Sequence, residues 1–402
     1  MRRIAYFSPL RPARTGIADY SEALLPFLAR SLSLDLYVDG YAPESQSSLR
    51  DFEVLDCRLF EAIRRQRQYD AIVYQMGNSP YHDYIYETLL RRPGILVLHD
   101  LVMHHFFVAR TLGQQDTSGY VREMAYNAPD GGADAARAAM TGNAPYPYYE
   151  MPLHHRMVDA SLSVIAHNEF MASRLRADYP ELPISCVPML CPPAALVQSP
   201  GLTAELRQRW QIPEGALVVA SFGRIAPPKR LDILLRALQA LRRQIPSVFC
   251  LLVGEVVAPY DAAGLIRGLG LGEDSVRLTG HIPEAEYFAS FDLADIAVNL
   301  RYPSAGESSA ALIQLLGHGV PTIVSDVDAF SELPDTVAIK VPVTGKEMDA
   351  LVLALTAHAT RTALRQAVSR AARAYVANVH SPERAANGYL EHIEQTLARQ
   401  RR

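Results

Sequence analysis

Short apolar runs alternate with helix-patterned segments along almost the whole chain, and this alternation restricts the possible folds more than any other feature. The runs are continuously apolar, which is the pattern of strands buried on both faces. Such strands, separated by helices, predict parallel sheets covered on both sides. The predicted strands are Ile4–Ser8, Leu34–Val38, Ala71–Met76, Ile95–His99, Ser163–His167, Ile184–Pro188, Leu217–Phe222, Val248–Val253, Val276–Thr279, Ile296–Leu300 and Thr322–Ser325. The expected fold class is therefore α/β, with doubly wound, Rossmann-like sheets.

One helix shows its buried face clearly in the sequence. From Leu231 onward, leucines recur at helical spacing, so that one apolar stripe faces the sheet. The leucines of this predicted stripe are Leu231, Leu234, Leu235, Leu238 and Leu241.

The chain has 402 residues, which is too long for one ordinary core and suggests two domains. Four prolines punctuate residues 188–203, where neither the strand period nor the helix period holds, so the linker is placed there. This division predicts an N-terminal domain over residues 1–190 and a C-terminal domain over residues 205–380, facing each other across a cleft.

Charge and cysteine content exclude several classes of protein. The net charge of −4 gives no reason to expect nucleic acid as a partner. The cysteines form no C-x-x-C pair, so reduced thiols and a cytoplasmic location are expected. No signal peptide and no membrane-spanning run are predicted. The basic C-terminus, Arg399, Arg401 and Arg402, is interpreted as a solvated tail, with weak peripheral contact at the inner face of a membrane as the alternative.

The segment from Ser221 to Arg230 follows one predicted strand and precedes the leucine-striped helix. Gly223 permits a tight exit from the strand. Arg224 and Lys229 then bracket a short turn at a helix start, where two cations beside unpaired amides can neutralise a diphosphate. A solvated pair of loop cations is the alternative that the spacing leaves open.

A second loop, Ser304–Ser309, runs into another helix-patterned segment. Such a loop can hold an anion through unpaired amides and the positive end of the helix dipole. Glu307 within it can accept hydrogen bonds from a polyol. An anion and a polyol side by side indicate a nucleotide-sugar enzyme, whereas the alternative is an ordinary capped helix, with Ser304 or Ser308 as the cap.

The motifs do not support a serine hydrolase, a Walker-type nucleotide-binding loop or a zinc site. There is no G-x-S-x-G elbow and no glycine-rich Walker loop. The histidine pairs His104-His105 and His154-His155 are adjacent and lack the i, i+4 spacing of helical zinc sites, so no metal is expected.

Taken together, these stretches resemble retaining glycosyltransferases of family 4, which have the two-domain GT-B fold. The donor half of that family is similar to FGRIAPPKRLDILLRAL, LLVGE and LTGHIPEAEYFASFDLADIAVNLRYPSAGESSAALIQLLGHGVPTIVSD. The acceptor half is similar to FSPLRPARTGIADYSEALLPFLA, VLHD and VIAHNEF. The resemblance therefore covers nearly the whole chain, and it implies that a last helix, within residues 383–402, crosses back to the N-terminal domain.

The resemblance assigns roles around the donor diphosphate. Arg224 and Lys229, next to Gly223, match the two cations that bind the diphosphate. The backbone at Ser308 and Ser309 matches the segment that holds phosphate.

It also assigns roles around the sugar, the base and the acceptor. Gly306 and Glu307 match the first glutamate region of the family's E-x7-E motif, which contacts the donor sugar. Gly16 matches the glycine that lets phosphate and acceptor approach, and His99 matches a histidine near the reacting sugar carbon. His281 falls where the base-binding loop usually lies.

The chain departs from the family pattern at two positions. The second glutamate of the motif, which usually binds the ribose, is replaced by Gln314, five residues before Gly319 and seven after Glu307 instead of eight. Gln314 can still donate and accept hydrogen bonds. Arg230 follows the lysine where the family commonly has glycine.

The resemblance implies a retaining hexosyltransferase-like enzyme, of the kind used in polysaccharide biosynthesis. Its donor would be a GDP- or UDP-linked sugar, its acceptor a glycan, a lipid-linked or a small-molecule compound, and no cofactor is expected. The alternatives are a sugar-nucleotide epimerase or phosphorylase of the same fold, or a non-catalytic sugar- or nucleotide-binding protein.

A helical insertion at about 114–160, with aromatic residues at 143–149, is either a packing lobe or a wall for the acceptor.

Overall fold

Every pairing between strands is parallel in the computed structural model, which describes residues 1–42 and 49–401. The described chain forms two units, each built on one sheet. The first unit comprises Met1–Leu190, Ala305–Ser308 and Pro382–Arg402, and the second comprises Cys191–Ser304 and Ser309–Ser381.

The sheet of the first unit has the strand order β3-β2-β1-β4-β5-β6-β7. Its strands are β1 (Arg2–Phe7), β2 (Leu32–Val38), β3 (Glu53–Asp56), β4 (Ala71–Met76), β5 (Ile95–Leu98), β6 (Ser163–Ala166) and β7 (Ile184–Cys186). All residues of β5 and β6 are buried, as the continuous apolar runs predict for parallel strands covered on both faces.

The sheet of the second unit has the order β10-β9-β8-β11-β12-β13. Its strands are β8 (Leu217–Phe222), β9 (Val248–Val253), β10 (Val276–Leu278), β11 (Ile296–Asn299), β12 (Thr322–Asp326) and β13 (Ile339–Pro342). Both sheets thus begin in the middle, extend to one edge and then continue on the other side of the first strand. This doubly wound arrangement confirms the predicted α/β fold class.

The reversal of strand order marks where ligands bind in such sheets. The strands that flank it are β1 and β4 in the first unit and β8 and β11 in the second. In open α/β sheets, ligands lie beyond the carboxyl ends of the strands at this switch point. The loops after these four strands are therefore the expected ligand-binding loops.

Helices cover the sheets of both units. Those of the first unit are α1 (Gly16–Leu28), α2 (Phe60–Gln66), α3 (Asp83–Arg91), α4 (His104–Arg110), α5 (Thr117–Asn127), α6 (Gly132–Met140), α7 (His155–Asp159), α8 (Glu169–Asp178) and, at the end of the chain, α16 (Pro382–Gln400). Those of the second are α9 (Pro200–Arg209), α10 (Leu231–Arg242), α11 (Ala262–Gly268), α12 (Glu284–Ala289), α13 (Ala310–His318), α14 (Glu347–Thr360) and α15 (Thr362–Val379). Within the described ranges, no helix is long and apolar enough to cross a membrane.

Most local predictions agree with these elements. Every predicted strand is present, with ends within two residues of those predicted, and all five leucines of the α10 stripe are buried. The sequence missed β3 and β13, which are edge strands and only partly buried, so they carry no continuous apolar run. The predicted linker extends too far, because α9 begins at Pro200, where proline suits the first turn of a helix.

The insertion at 114–160 contains α5, α6 and α7. Tyr120, Met124, Ala136 and Met157 from these helices are buried in the hydrophobic core of the first unit. Most of the insertion therefore contributes to packing, whereas the segment after α6 is more exposed.

The C-terminal helix α16 is part of the first unit and joins it through buried polar groups; Arg402 lies outside the described residues. The hydroxyl of Tyr389 lies 3.0 Å from that of Tyr20. His392 places its ring nitrogens 2.8 Å from Ser185 Oγ and 2.9 Å from Ser163 Oγ. These bonds satisfy polar groups that would otherwise be buried without partners.

Buried histidines make the stability of the first unit depend on pH. Burial lowers the pKa of His82 to about 4, of His154 to about 3 and of His392 to about 4, from 6.5. Between those values and 6.5 the unfolded chain binds protons that the folded chain does not bind. The free energy of unfolding therefore falls as the pH decreases through this window.

We expect acidification from about pH 7 to about pH 5 to cost roughly 2 kcal/mol for His392 alone. Urea denaturation of the native protein and of His392→Gln at both pH values measures this, because glutamine can bond to the two serines without titrating. The variant should lose less stability than the native protein on acidification. An identical pH dependence of the two proteins would contradict a neutral, buried His392.

Candidate active site

Lys229 lies at the switch point of the second sheet. Its ammonium group donates to the backbone oxygen of Phe222, at the end of β8, at 3.1 Å. It also donates to Oδ1 of Asn299, at the end of β11, at 3.1 Å. A positive charge is thus fixed at the carboxyl ends of the two strands that flank the reversal of order.

The backbone that carries this lysine leaves β8 in a tight turn. Gly223 has a φ of +93°, and its N–H donates to the oxygen of Val253 at 2.9 Å. A Cβ atom on Gly254 would lie only 2.2 Å from the oxygen of Gly223, so the two backbones approach as closely as glycine permits. The chain then forms a short 3-10 turn, Pro227–Lys229, before α10.

Asn299 connects the lysine to the start of α13. Its Nδ2 donates to Ser309 Oγ at 3.4 Å, and Ser309 caps α13 by accepting from the N–H of Leu312 at 3.3 Å. Lys229, Asn299 and Ser309 therefore form a hydrogen-bonded chain that ends at a helix N-terminus. The sequence analysis missed Asn299, although an amide side chain at the end of an apolar strand was the available signal.

Arg224 differs from Lys229 in its surroundings. It is exposed, and its side chain forms no hydrogen bond or ion pair with any described residue. An exposed guanidinium two residues beyond the end of β8 is available to an anionic ligand.

Arg230 occupies the position after the lysine in the left-handed conformation, with a φ of +55°. Glycine adopts this conformation without strain, which agrees with the glycine expected from the resemblance. In this chain the arginine is held by Glu347, whose Oε2 accepts from its Nη2 at 2.5 Å and from its Nε at 3.2 Å. The Glu347 side chain is only 3% exposed, and its second oxygen, Oε1, has no hydrogen-bond partner in the described structure.

The loop with Gly306 packs as part of the first unit. The backbone oxygen of Ala305 accepts from the N–H groups of Leu101 at 2.9 Å and Val102 at 3.0 Å. Gly306 has a φ of +73°, its oxygen accepts from Asn168 Nδ2 at 3.0 Å, and a Cβ there would lie 2.8 Å from that of Leu101. Glycine is thus required at this position for packing, whatever it contributes to a ligand.

The neighbouring polar residues of this loop are also bonded within the first unit. Glu307 Oε2 accepts from the N–H of Ala305 at 2.8 Å. Ser308 Oγ donates to the oxygen of His167 at 3.2 Å and accepts from Asn168 Nδ2 at 3.1 Å. The structure therefore places Ser308 with the first unit and Ser309 with the second.

His99 is buried after the end of β5. Its Nε2 donates to Gln75 Oε1 at 2.7 Å, and its ring packs against those of His167 at 4.5 Å and Tyr20 at 5.1 Å. Burial, with a further effect of the other histidines, lowers the pKa of His99 well below its usual value. The imidazole is therefore neutral and 4% exposed.

The remaining predicted residues are exposed or half-buried and lie in a loop or on a helix. Gly16 is the exposed first residue of α1, and a Cβ on it would meet no atom within 4 Å. His281 is exposed in the loop after β10. Gln314 is half-buried on α13, and its amide forms no hydrogen bond with any part of the described chain.

Comparison with known proteins relates the segment that carries this site to a family of enzymes. Residues 216–371 match the family model described as "Glycosyl transferases group 1". This segment of the chain is similar to a group 1 glycosyltransferase domain. This match confirms the resemblance of the donor half to glycosyltransferases, and the matched segment contains Arg224, Lys229, Asn299 and Ser309.

Relatives and solved structures extend the likeness beyond the glycosyltransferase domain. The chain is 26% identical over 223 residues to the D-inositol 3-phosphate glycosyltransferase of Kineococcus radiotolerans, covering 52% of this chain but only 50% of that relative's length. Sucrose-phosphate synthase from Thermosynechococcus elongatus superposes with a TM-score of 0.69 at 18% identity, covering 99% of this chain and all of the other. HepE of Anabaena, in complex with UDP, superposes with a TM-score of 0.66 at 16% identity over 98% of this chain and all of the other. These structures share the GT-B fold with the present chain.

Proposed function

We propose that this protein is a retaining glycosyltransferase that moves a sugar from a nucleotide-diphosphate donor to a glycan, lipid-linked or small-molecule acceptor. The observation that carries the proposal is the ammonium group of Lys229, fixed across the carboxyl ends of β8 and β11. A cation held there, with an exposed arginine nearby in sequence, suits a diphosphate at the switch point.

In the proposed reaction, the bond between the sugar's anomeric carbon and the diphosphate breaks, and its electron pair leaves on the diphosphate oxygen. The acceptor oxygen bonds to the same carbon, and its proton passes to the departing diphosphate. Lys229, Arg224 and the N-terminus of α13 stabilise the charge that develops on the leaving group. A fixed cation is effective because it needs no reorganisation during the reaction.

The other predicted residues complete the proposal. Glu307 and the backbone of Gly306 orient hydroxyls of the donor sugar, while Ser308 and Ser309 lie along the phosphates. His99 is buried against His167 and Tyr20, which fix its ring. We assign it the role of a positioning residue that helps to place the donor sugar. Gly16 leaves space for the acceptor at the start of α1.

The donor nucleotide is proposed to be UDP or GDP. HepE, which shares the fold, binds UDP, and this supports a nucleotide-sugar donor. The amide of Gln314 forms no hydrogen bond within the described chain, so it can bond to ribose hydroxyls in place of the usual glutamate. His281, exposed after β10, is proposed to lie beside the base.

A two-step experiment tests the proposed function. UDP, GDP, ADP and TDP are first screened for their effect on the thermal unfolding midpoint, since a ligand that binds only the folded state raises it. Donor sugars of the stabilising nucleotide are then incubated with saccharide and lipid-linked acceptors, and the product anomer is determined by NMR. We expect one nucleotide to raise the midpoint, and transfer to give a product with the donor's anomeric configuration.

Other outcomes would replace the proposal with a specific alternative. An inverted anomer would reject the retaining mechanism. An epimer formed without acceptor would indicate an epimerase, and a sugar phosphate formed with inorganic phosphate would indicate a phosphorylase. Nucleotide binding without turnover of any donor would indicate a non-catalytic binding protein.

A further inference from the structure

An aromatic surface in the first unit has no part in the mechanism proposed above. We call it the ring stack; it consists of His105, Tyr146, Tyr148 and Tyr149. The rings of His105 and Tyr148 are stacked, with centroids 4.4 Å apart and planes within 9°. Tyr146 stacks on Tyr148 at 5.6 Å, and Tyr149 meets His105 edge-on at 6.1 Å. His105 is exposed and the three tyrosines are half-buried, so the surface is open to solvent.

Buried hydrogen bonds fix the segment that carries the ring stack. His104 is fully buried; its Nδ1 donates to the oxygen of Met151 at 2.7 Å, and its Nε2 accepts from the hydroxyl of Tyr120 at 2.7 Å. The N–H of Met103 donates to the oxygen of Pro152 at 2.6 Å. These bonds tie the segment that carries the tyrosines to the start of α4. The surface is therefore pre-organised, which lowers the entropy cost of binding a ligand.

The ring stack is also located where doubly wound sheets bind ligands. Asn78 follows the end of β4, one of the two strands at the switch point of the first sheet. Its Nδ2 lies 3.2 Å from Nδ1 of His105, and its Oδ1 accepts from the N–H of Phe106 at 2.8 Å. The side chain of Asn78 thus connects the exposed ring directly to the ligand-binding edge of the sheet.

The chemistry of the ring stack favours a sugar ring over other ligands. The hydroxyls of Tyr146 and Tyr148 and Nε2 of His105 form no hydrogen bond with any described residue. Packing against the neighbouring rings partly desolvates the exposed imidazole of His105 and lowers its pKa, so the stack carries no charge near neutral pH and offers nothing specific to phosphate. The exposed ring of His105, beside donors and acceptors that no described residue occupies, matches a pyranose, which has apolar C–H faces and a rim of hydroxyls.

We propose that the ring stack binds a pyranose ring of the glycosyl acceptor. The identification of that sugar as the acceptor rests on the proposed function, whereas the binding of a pyranose does not. The acceptor is thereby narrowed to a compound that contains a carbohydrate ring.

Saturation-transfer NMR on the full-length protein, without nucleotide, tests the binding directly. The probes are the methyl α- and β-pyranosides of glucose, galactose and mannose, together with maltose and phenol. We expect saturation transfer to at least one saccharide, and a loss of at least about fivefold in Tyr148→Leu, because the stacked ring is removed. Tyr148→Phe, which keeps the ring, should retain the signal.

Tyr126→Leu is the matched control, because Tyr126 is an exposed tyrosine of the same insertion whose hydroxyl bonds to Asp159 instead. Its saccharide signals should equal those of the native protein. The proposal is overturned if no saccharide receives saturation, if phenol alone does, or if Tyr148→Leu keeps the native signal. These results are independent of donor turnover, so a failure of the proposed function and a failure of the ring stack are distinguishable.

Discussion

Lys229→Met is expected to lower kcat for sugar transfer by about 100- to 1,000-fold, which is the usual cost of removing one group that stabilises charge in a transition state. Methionine preserves most of the length of the side chain but not the charge. The oxygens of Phe222 and Asn299 lose their shared donor, so a modest loss of stability, about 1–2 kcal/mol, should accompany the change. Turnover of the donor found by nucleotide screening, with folding checked by thermal unfolding, measures the effect.

Two arginine variants test whether a loss of turnover is specific to the proposed diphosphate site or follows from the removal of any positive charge. Arg224→Ala should reduce turnover with little change in stability, since Arg224 is exposed and bonded to no described residue. Arg236→Ala removes an equal charge from an exposed position on α10 and should leave turnover within about twofold of native. If Lys229→Met kept turnover within about threefold of native, the role assigned to Lys229 would be wrong.

Arg230→Gly is expected to destabilise the protein by about 3 kcal/mol, although it introduces the residue that suits the backbone conformation. Glycine would relieve about 1 kcal/mol of strain at a φ of +55°. It would also leave the carboxylate of Glu347, 3% exposed, without its cation, and a buried charge without a partner is costly. Urea denaturation of the single variants and the double variant measures the balance.

The double variant Arg230→Gly, Glu347→Met decides between the two effects. Because it removes both charges, and methionine keeps the volume of the more deeply buried Glu347, we expect it to lie within about 1 kcal/mol of the native protein. The two single changes should therefore be strongly non-additive. Additive losses, or an Arg230→Gly variant as stable as the native protein, would show that the ion pair does not maintain this turn.

The sheets could be predicted from the sequence because their central strands are buried on both faces. The runs at Ile95–Leu98 and Val248–Val253 are apolar throughout, which is the pattern of a parallel strand covered on both faces. Edge strands such as Glu53–Asp56 bury little of their side-chain surface. Their residue types therefore include polar residues that face solvent, and no continuous apolar run marks the strand. Their pairing depends on backbone bonds, which the sequence does not display.

The site could be predicted only in part, for a related reason. Lys229 was visible because its turn follows an apolar strand and precedes a helix. Asn299 was not singled out, because its role depends on β8 and β11 being neighbours although β9 and β10 lie between them in the chain. The partner of Arg230 lies 117 residues away, so only the folded chain reveals why an arginine is tolerated in a left-handed turn.

The membership of α16 in the first unit has a consequence for how the protein is made. Synthesis delivers residues 1–190 long before residues 382–400, yet the hydroxyls of Tyr20 and Ser163 have their partners on that last helix. Until residues 382–400 have been synthesised, the nascent first unit therefore exposes an unfinished surface for the whole time that the second unit is being translated. A stop codon that removes α16 would therefore damage the part of the protein that was synthesised first.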